Sequence, residues 1–225
     1  MSKLSLRLQT LADMIQPGSI VADIGTDHAL LPAFLVQNQI ITKAYACDIA
    51  VGPLDRAKAL IQEQGLQDQI TAILGGGLSK VPEDADTAII AGMGFDTIKM
   101  ILEENLSKLY QFRHIILQAN TGVEELRRWI SDHHFTIIQE RLVKDGHFYT
   151  MIDMNTAAHE PLSEAEICFG CGLDQQASFL PYWQFRLTKL ETILQQMPIN
   201  HPKYFDYQQQ LISIRNKLAD VRKRS

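Results

Sequence analysis

The sequence predicts an α/β domain with a mostly parallel sheet, followed by an α-helical coiled-coil hairpin. Three observations carry that prediction. Short apolar runs at 19–25, 43–49, 70–74, 87–93 and 114–120 alternate with helix-like stretches. Their cores, such as Ala88-Ile-Ile-Ala91 and Ile115-Ile-Leu117, are apolar without alternation, as strands covered on both faces should be. Beyond about residue 160 the pattern changes to apolar residues spaced by three and four.

Each element has a local reason. Leu4, Leu8, Leu11 and Ile15 fall at helical spacing, and Pro17-Gly18 stops that helix. The first strand run gives way at Gly25 to a polar turn and a helix from about His28 to Gln37. Further helices are expected over 51–64, 96–106 and 123–133, each between two strand runs. Residues 135–143 and 147–154 are β-rich and joined by Lys144-Asp145-Gly146, a hairpin signal. Five parallel strands closed by an antiparallel pair is the Rossmann-like layout of class I methyltransferases rather than of dehydrogenases. In the last part of the chain, Phe179, Trp183, Leu187, Leu190, Leu194 and Met197 form one stripe. Tyr204, Tyr207, Leu211, Ile214, Leu218 and Val221 form a second. Pro198 to Pro202 separates them, which predicts a short antiparallel hairpin of helices. The division expected is 1–160 for the sheet domain and 161–225 for the helical hairpin.

Composition narrows the class. At 225 residues with 46% hydrophobic and 21% charged side chains, the chain is that of an ordinary soluble protein. No apolar run reaches the ~18–20 residues of a membrane span, and the first residues lack a signal-type apolar core. Three cysteines suit a reducing compartment, so a cytoplasmic location is expected. Cys168 and Cys171 form one C-x-x-C with no second pair, so no metal site is expected. The net charge of −5 falls on residues 1–150, because residues 151–225 carry eight side chains of each sign. That balance counts against nucleic-acid binding except where Arg222, Lys223 and Arg224 gather at the end of the second helix. A solvated helix end complementing the dipole explains those three equally well.

The chemistry is concentrated where strands end. A strand, a tight turn and a helix start over 21–32 offer outward backbone N–H groups to a nucleotide-like ligand. Asp48 ends the second strand, where a carboxylate is placed to accept ribose hydroxyls. A dinucleotide site wants a second glycine two residues after Gly25, and Asp27 stands there instead. An aspartate repels a pyrophosphate and attracts a cation such as a sulfonium with an α-amino group. S-adenosyl-L-methionine fits that charge and NAD does not. No P-loop pattern is present. Gly75, Gly76 and Gly77 after the third strand either admit an adenine against the backbone or form a flexible turn. The fourth strand ends Ala91-Gly-Met-Gly94-Phe95, without the acid or amide and the prolines that amine methylation uses. Small residues there suggest a nucleophile with its own lone pair, such as a ring nitrogen. Asp27 and His28 are catalytic candidates or a helix N-cap pair. Asn120 either caps the next helix or points into the same crevice, with Thr121 the competing cap.

On these residues the chain resembles the bacterial tRNA (adenine(22)-N1)-methyltransferase family. The resemblance runs from Leu4 into the helical hairpin. It is carried by Ala22-Asp-Ile-Gly-Thr-Asp-His-Ala29 with Leu31-Pro32, and by Asp48 in a Cys-Asp-Ile context. Leu74-Gly-x-Gly77-Leu78, Ile90-Ala-Gly-Met-Gly94 and Ile116-Leu-Gln-x-Asn120 complete it. It implies a Rossmann-like domain that binds S-adenosyl-L-methionine and a coiled coil that holds tRNA. Asp23, Gly25, Thr26, Asp27 and His28 would line the methionine end, with Asp48 and Ile49 at the ribose. Gly76, Gly77 and Leu78 would lie near adenine, and Ala91, Gly92 and Met93 near the methyl. Gly94, Phe95 and Asn120, with Arg222, Lys223 and Arg224 on the hairpin, would meet the tRNA. Phe95, Phe148 and Tyr149 are aromatics able to receive a base turned out of its stack. Leu30, Gly76, Phe95, Ala119 and Cys171 depart from the family's pattern. A monomer is expected, with a weak dimer the alternative. The competing readings are a non-catalytic cofactor-binding module that recruits a protein, and a small-molecule methyltransferase.

Overall fold

In a computed structural model, which describes residues 4–224, seven strands form one sheet in the order β3-β2-β1-β4-β5-β7-β6. Strands β1 (Ile20–Ile24), β2 (Lys43–Asp48), β3 (Ile70–Leu74), β4 (Thr87–Met93) and β5 (His114–Ala119) are parallel. β7 (His147–Ala158) runs antiparallel to β5 and to β6 (Phe135–Asp145). Helices α1 (Leu6–Asp13), α2 (Leu30–Gln37) and α3 (Val51–Glu63) precede the break at β3–β4. Helices α4 (Phe95–Glu103), α5 (Leu106–Leu109) and α6 (Val123–Asp132) follow it. The two apolar layers between sheet and helices are separate. Ile90, Ile98, Leu102, Leu117, Trp129 and Ile152 belong to one, and Leu11, Leu35, Ala46, Ile89, Ile116 and Met151 to the other.

The elements differ from expectation at three points, each with a local cause. The helix expected over 96–106 breaks at Asn105, whose side chain donates to Ile101 O at 2.8 Å, and resumes as α5. β6 extends to Asp145, because a tight turn with Gly146 at φ +68° lets the ladder continue, and β7 extends to Ala158, which pairs with Phe135 at the start of β6. α2 starts at Leu30 rather than His28, because His28 and Ala29 both adopt left-handed backbone.

The chain divides into two compact units, through Cys171 and from Gly172 onward. The division expected at 160/161 falls earlier because it misses α7 (Glu164–Phe169), a helix opened by a Ser163–Glu166 capping box. A buried ion pair holds it in the first unit. Arg127 meets Glu140 at 2.8 Å and donates to Ile167 O at 2.9 Å and Cys168 O at 3.4 Å. Glu140 in turn accepts from Cys171 N–H at 2.8 Å. The second unit is a 3₁₀ turn, Leu173–Gln175, and helices α8 (Phe179–Gln196) and α9 (Tyr204–Arg224) packed as a hairpin. Its stripes are fully buried only at Phe179, Trp183, Leu187 and Leu190 and at Ile214, Leu218 and Val221. Toward the tip, Leu194, Met197, Tyr204, Tyr207 and Leu211 are half-exposed.

At the amino ends of the strands, polar groups satisfy one another. Asp86 accepts from Ile20 N–H at 3.1 Å and from Thr87 Oγ1 at 3.0 Å. Lys43 and Tyr45 both reach Asp84 at 2.7 Å, and Lys43 holds that carboxyl below its usual range. The buried Asp153 on β7 faces His114 Nδ1 at 3.0 Å.

Candidate active site

The opposite, carboxyl edge of the sheet gathers the candidate residues of the first unit. Gly25 follows β1 with φ +76°, and its N–H and that of Thr26 bond Cys47 O at 2.8 and 3.0 Å. A side chain at Gly25 is strained by the backbone conformation itself, and its Cβ would also have to push aside the Met93 methyl, the end of a flexible side chain. Asp23 is buried, and desolvation raises its carboxyl from 3.8 to about 6, the Asp48 charge adding to this and Arg7 opposing it. Thr26 is near enough to restrain that rise, yet its buried Oγ1 makes no hydrogen bond of full geometry. A buried hydroxyl without a partner is costly, and a ligand at this edge would relieve it.

Asp27 and His28 do not cap α2. The N-cap is Ala29, with no side-chain bond to the helix. Asp27 meets Arg56 of α3 at 3.0 Å and His28 Nε2 at 3.4 Å, all three side chains substantially exposed. Nothing in the sequence pattern singles out Arg56, and it tempers the idea that Asp27 is an unopposed anion.

Asp48 accepts from Ala50 N–H at 2.7 Å through Oδ1, which fixes the carboxylate and leaves Oδ2 at the edge. Beside it Ile49 is 79% exposed, and a Cβ on Gly76 would approach Ile49 Cδ1 to 3.1 Å. The missing side chain at Gly76 therefore keeps a slot open against an apolar wall. Gly77, at φ +61°, lies over Ile101 and Asn105. Leu78 is fully buried in the core, so only its main chain is offered to a ligand.

The β4 end is shaped by a bulge between Ala91 and Met93 against β5, with Gly92 at φ +81°. Side chains replace the interrupted ladder bonds. Gln118, fully buried, accepts from Gly92 N–H at 3.2 Å, and Asn120 donates to Gly92 O at 2.8 Å. Gln118 also donates to Asn120 Oδ1 at 3.0 Å and accepts from Arg7 at 2.9 Å. Asn120 is thus wired into the strand end, and the N-cap of α6 is Gly122, with no side-chain cap bond. Gly94 precedes α4, and Phe95 packs partly into the core over Gly122, where a Cβ would stand 2.5 Å from Phe95 Cβ. Arg7 and Gln118 are the functional candidates missing from the expected site. A lone amide in an apolar strand, two residues from Asn120 and on its face, was the available signal for Gln118. The helical position of Arg7 gave none.

Arg222, Lys223 and Arg224 belong to the second unit, in the last turn of α9. Arg222 donates to Gln184 at 3.0 Å, Lys223 lies 3.9 Å from Asp220, and Arg224 4.0 Å from Asp174. Nearby Arg215 pairs with Glu191 at 2.7 Å and Lys217 with Asp174 at 2.8 Å. Among the described residues, no group of three or more His, Cys, Asp or Glu could hold a metal ion. No described helix is long and apolar enough to cross a membrane.

Comparison with known proteins meets this geometry. A family model described as a methyltransferase domain matches residues 4–152. The tRNA (adenine(22)-N(1))-methyltransferase of Bacillus subtilis is 35% identical over 204 residues, covering 87% of this chain and 86% of that protein. The chain belongs to the tRNA (adenine(22)-N1)-methyltransferase family. The structure of M. capricolum TrmK, solved with S-adenosyl-homocysteine, is 35% identical with a TM-score of 0.86, covering 98% of this chain and 99% of that one. A Streptococcus pneumoniae structure solved with S-adenosyl-L-methionine is 32% identical with a TM-score of 0.88, covering 96% and 100%. The sheet of this member of the family has the five parallel strands and the antiparallel pair expected from its sequence.

Proposed function

We propose that the protein is a cytoplasmic, S-adenosyl-L-methionine-dependent enzyme that methylates ring N1 of adenine 22 in tRNA. The observation that carries the reading is the pairing of two edges. Carboxylates end β1 and β2 without a phosphate-admitting second glycine, and the adjoining end of β4 is built from glycine and methionine.

The residues present fit the cofactor. Asp48, held through Oδ1, keeps Oδ2 for a ribose hydroxyl, and Ile49 with Gly76 and Gly77 forms a slot for a flat base. Asp23 and Thr26, one desolvated and one without a full hydrogen bond, suit the charged methionine end. The cofactor supplies an electrophilic methyl on a sulfonium. What the chain supplies is proximity and orientation. Gly92, Met93 and Gly94, fixed by Gln118 and Asn120, leave room for a planar ring whose nitrogen presents its own lone pair. A ring nitrogen needs no proton removed before it attacks, which matches a β4 end without an acidic or amide side chain. Asp27 and His28 stand at the rim and act on the entering nucleotide, and the helical hairpin with Arg222, Lys223 and Arg224 holds the tRNA.

Two measurements test this. Nucleosides from tRNA incubated with protein and cofactor should contain N1-methyladenosine by mass spectrometry, and its absence would remove the reading. Asp48→Ala should weaken cofactor binding by roughly 1.5–3 kcal/mol in calorimetry, the size of a hydrogen bond to a charged group. Unchanged affinity would remove the ribose assignment.

A further inference from the structure

The net charge of residues 1–150 is negative, yet one exposed point of the first unit is not. Pairing of β5 with β7 ends at Leu117 and Ile152, while the β6–β7 ladder runs on to Asp145 and His147. The last rungs of that hairpin therefore overhang the carboxyl edge, on the side of the candidate site. Each face of the overhang carries a cation on an aromatic ring. Lys144 Nζ lies 5.5 Å from the Phe148 centroid, and the Arg7 guanidinium 5.7 Å from that of Tyr149. Arg141 and His147 are exposed beside them. Arg141 and Lys144 have no carboxylate partner among the described residues, whereas Arg215 and Lys217 of the helical hairpin are paired. The one acid at the tip, Asp145, accepts from Arg7 N–H at 2.9 Å. Through Arg7 and Gln118 the tip is also tied to the Gly92 bulge.

Cations beside half-exposed rings are the chemistry that binds unpaired nucleotides, phosphates meeting the charges and bases stacking on the rings. We infer that the tip of the β6–β7 hairpin is an RNA-binding surface, which holds a single-stranded segment flanking the nucleotide that enters the pocket. The inference rests on the tRNA reading above and deepens it. The cations at this tip then add phosphate contacts next to the chemistry to those made by the basic end of α9.

The test uses the full chain and an in-vitro transcribed tRNA. Arg141→Ala/Lys144→Ala should weaken tRNA binding about tenfold or more. It should also flatten its log–log salt dependence by about 0.7 for each single-strand phosphate no longer neutralised. Phe148→Leu, which keeps an apolar side chain, should weaken binding without changing the salt slope. Cofactor affinity should stay at the wild-type value in both variants, which checks that they fold. A control with the same charge change away from the edge, Lys58→Ala/Arg113→Ala, should bind tRNA normally. Wild-type affinity and salt slope in the Arg141/Lys144 variant would overturn the surface while leaving the tRNA reading intact, as would equal weakening in the control. Failure of the wild-type protein to bind tRNA would overturn both.

Discussion

The two ends of the same parallel sheet handle polarity in opposite ways. At the amino ends, Asp86, Asp84 and Asp153 each meet donors within 3.1 Å, and the strands are stitched together by them. At the carboxyl ends, Asp23 is desolvated, Thr26 Oγ1 lacks a full hydrogen bond, and Ile49, Val51 and Leu74 are exposed. Sequences tend to be locally consistent except where function demands otherwise, so unsatisfied groups at one end only mark where a ligand completes the structure. The buried aspartates make the contrast sharpest. Desolvation pushes both carboxyls up, but Asp153 has a histidine partner, whereas Asp23 borders a second carboxylate.

The largest effect expected is at Gly25. Gly25→Ala would put an L side chain at φ +76° and strain the turn that shapes the pocket, with the Met93 methyl pushed aside. Turnover in a tRNA methylation assay should fall by about 100-fold, the scale of an ångström-sized misplacement. Near-normal turnover would mean the carboxyl edge is less tightly shaped than its geometry implies.

Asp23→Asn comes next and has a pH signature. Asp23 has a folded-state pKa raised from 3.8 to about 6, so the folded chain holds the proton more tightly than the unfolded one. This group's contribution to stability is therefore whole below about pH 3.8 and is lost as the pH rises through about 6, a loss of up to roughly 3 kcal/mol. The asparagine variant should melt higher than wild type at pH 8, with the difference gone near pH 4. A cationic cofactor prefers the ionised carboxylate, so wild-type affinity should strengthen as pH rises through about 6. The variant should bind about ten- to a hundredfold more weakly at pH 8 and show no such rise. Equal affinities at pH 8 would remove Asp23 from the site.

Asp153→Ala tests the other end. It removes the acceptor that the half-buried His114 and Gln139 face and leaves a cavity in place of a buried side chain, so stability should fall by about 1–3 kcal/mol in urea titrations. Cofactor affinity should not change, and a parallel loss of affinity would dissolve the distinction between the two ends. The smallest effect on stability is expected at Asp27. Its exposed pairing with Arg56 is worth at most about 1 kcal/mol, and it does not cap α2. Asp27→Ala should therefore melt near wild type while losing turnover, and an early-melting variant with full specific activity would restore a purely structural role.

Much of this was legible in the chain. The cores of β1, β2, β4 and β5 stand out because they are buried on both faces, and the glycines after β1, β3 and β4 mark the edge where side chains are excluded. The stripes of α8 and α9 were equally plain. What the residues could not announce is tertiary. Nothing local distinguishes Arg7 from any exposed helical arginine until β5 brings Gln118 beneath it. The left-handed backbone of His28 and Ala29 is imposed by the turn, against the preference of an alanine, so the helix begins two residues later than its sequence suggests. Asp220 stands three residues before Lys223 on the same helix and is legible from spacing, whereas Asp174 and the amide of Gln184 reach the basic end of α9 only through folding.

The Arg127–Glu140 pair also determines where this protein can be cut. Shortening the chain after residue 160 would strip Ile167 O and Cys168 O from a buried guanidinium and Cys171 N–H from a buried carboxylate. Ile167 and Phe169, themselves buried, would go with them. Losing partners of a buried pair is more damaging than never having had the pair, so such a fragment should be prone to aggregation. Ending at Cys171 keeps every one of those bonds. The first compact unit is thus closed by one acidic side chain on β6, eleven residues beyond the point where the character of the sequence changes.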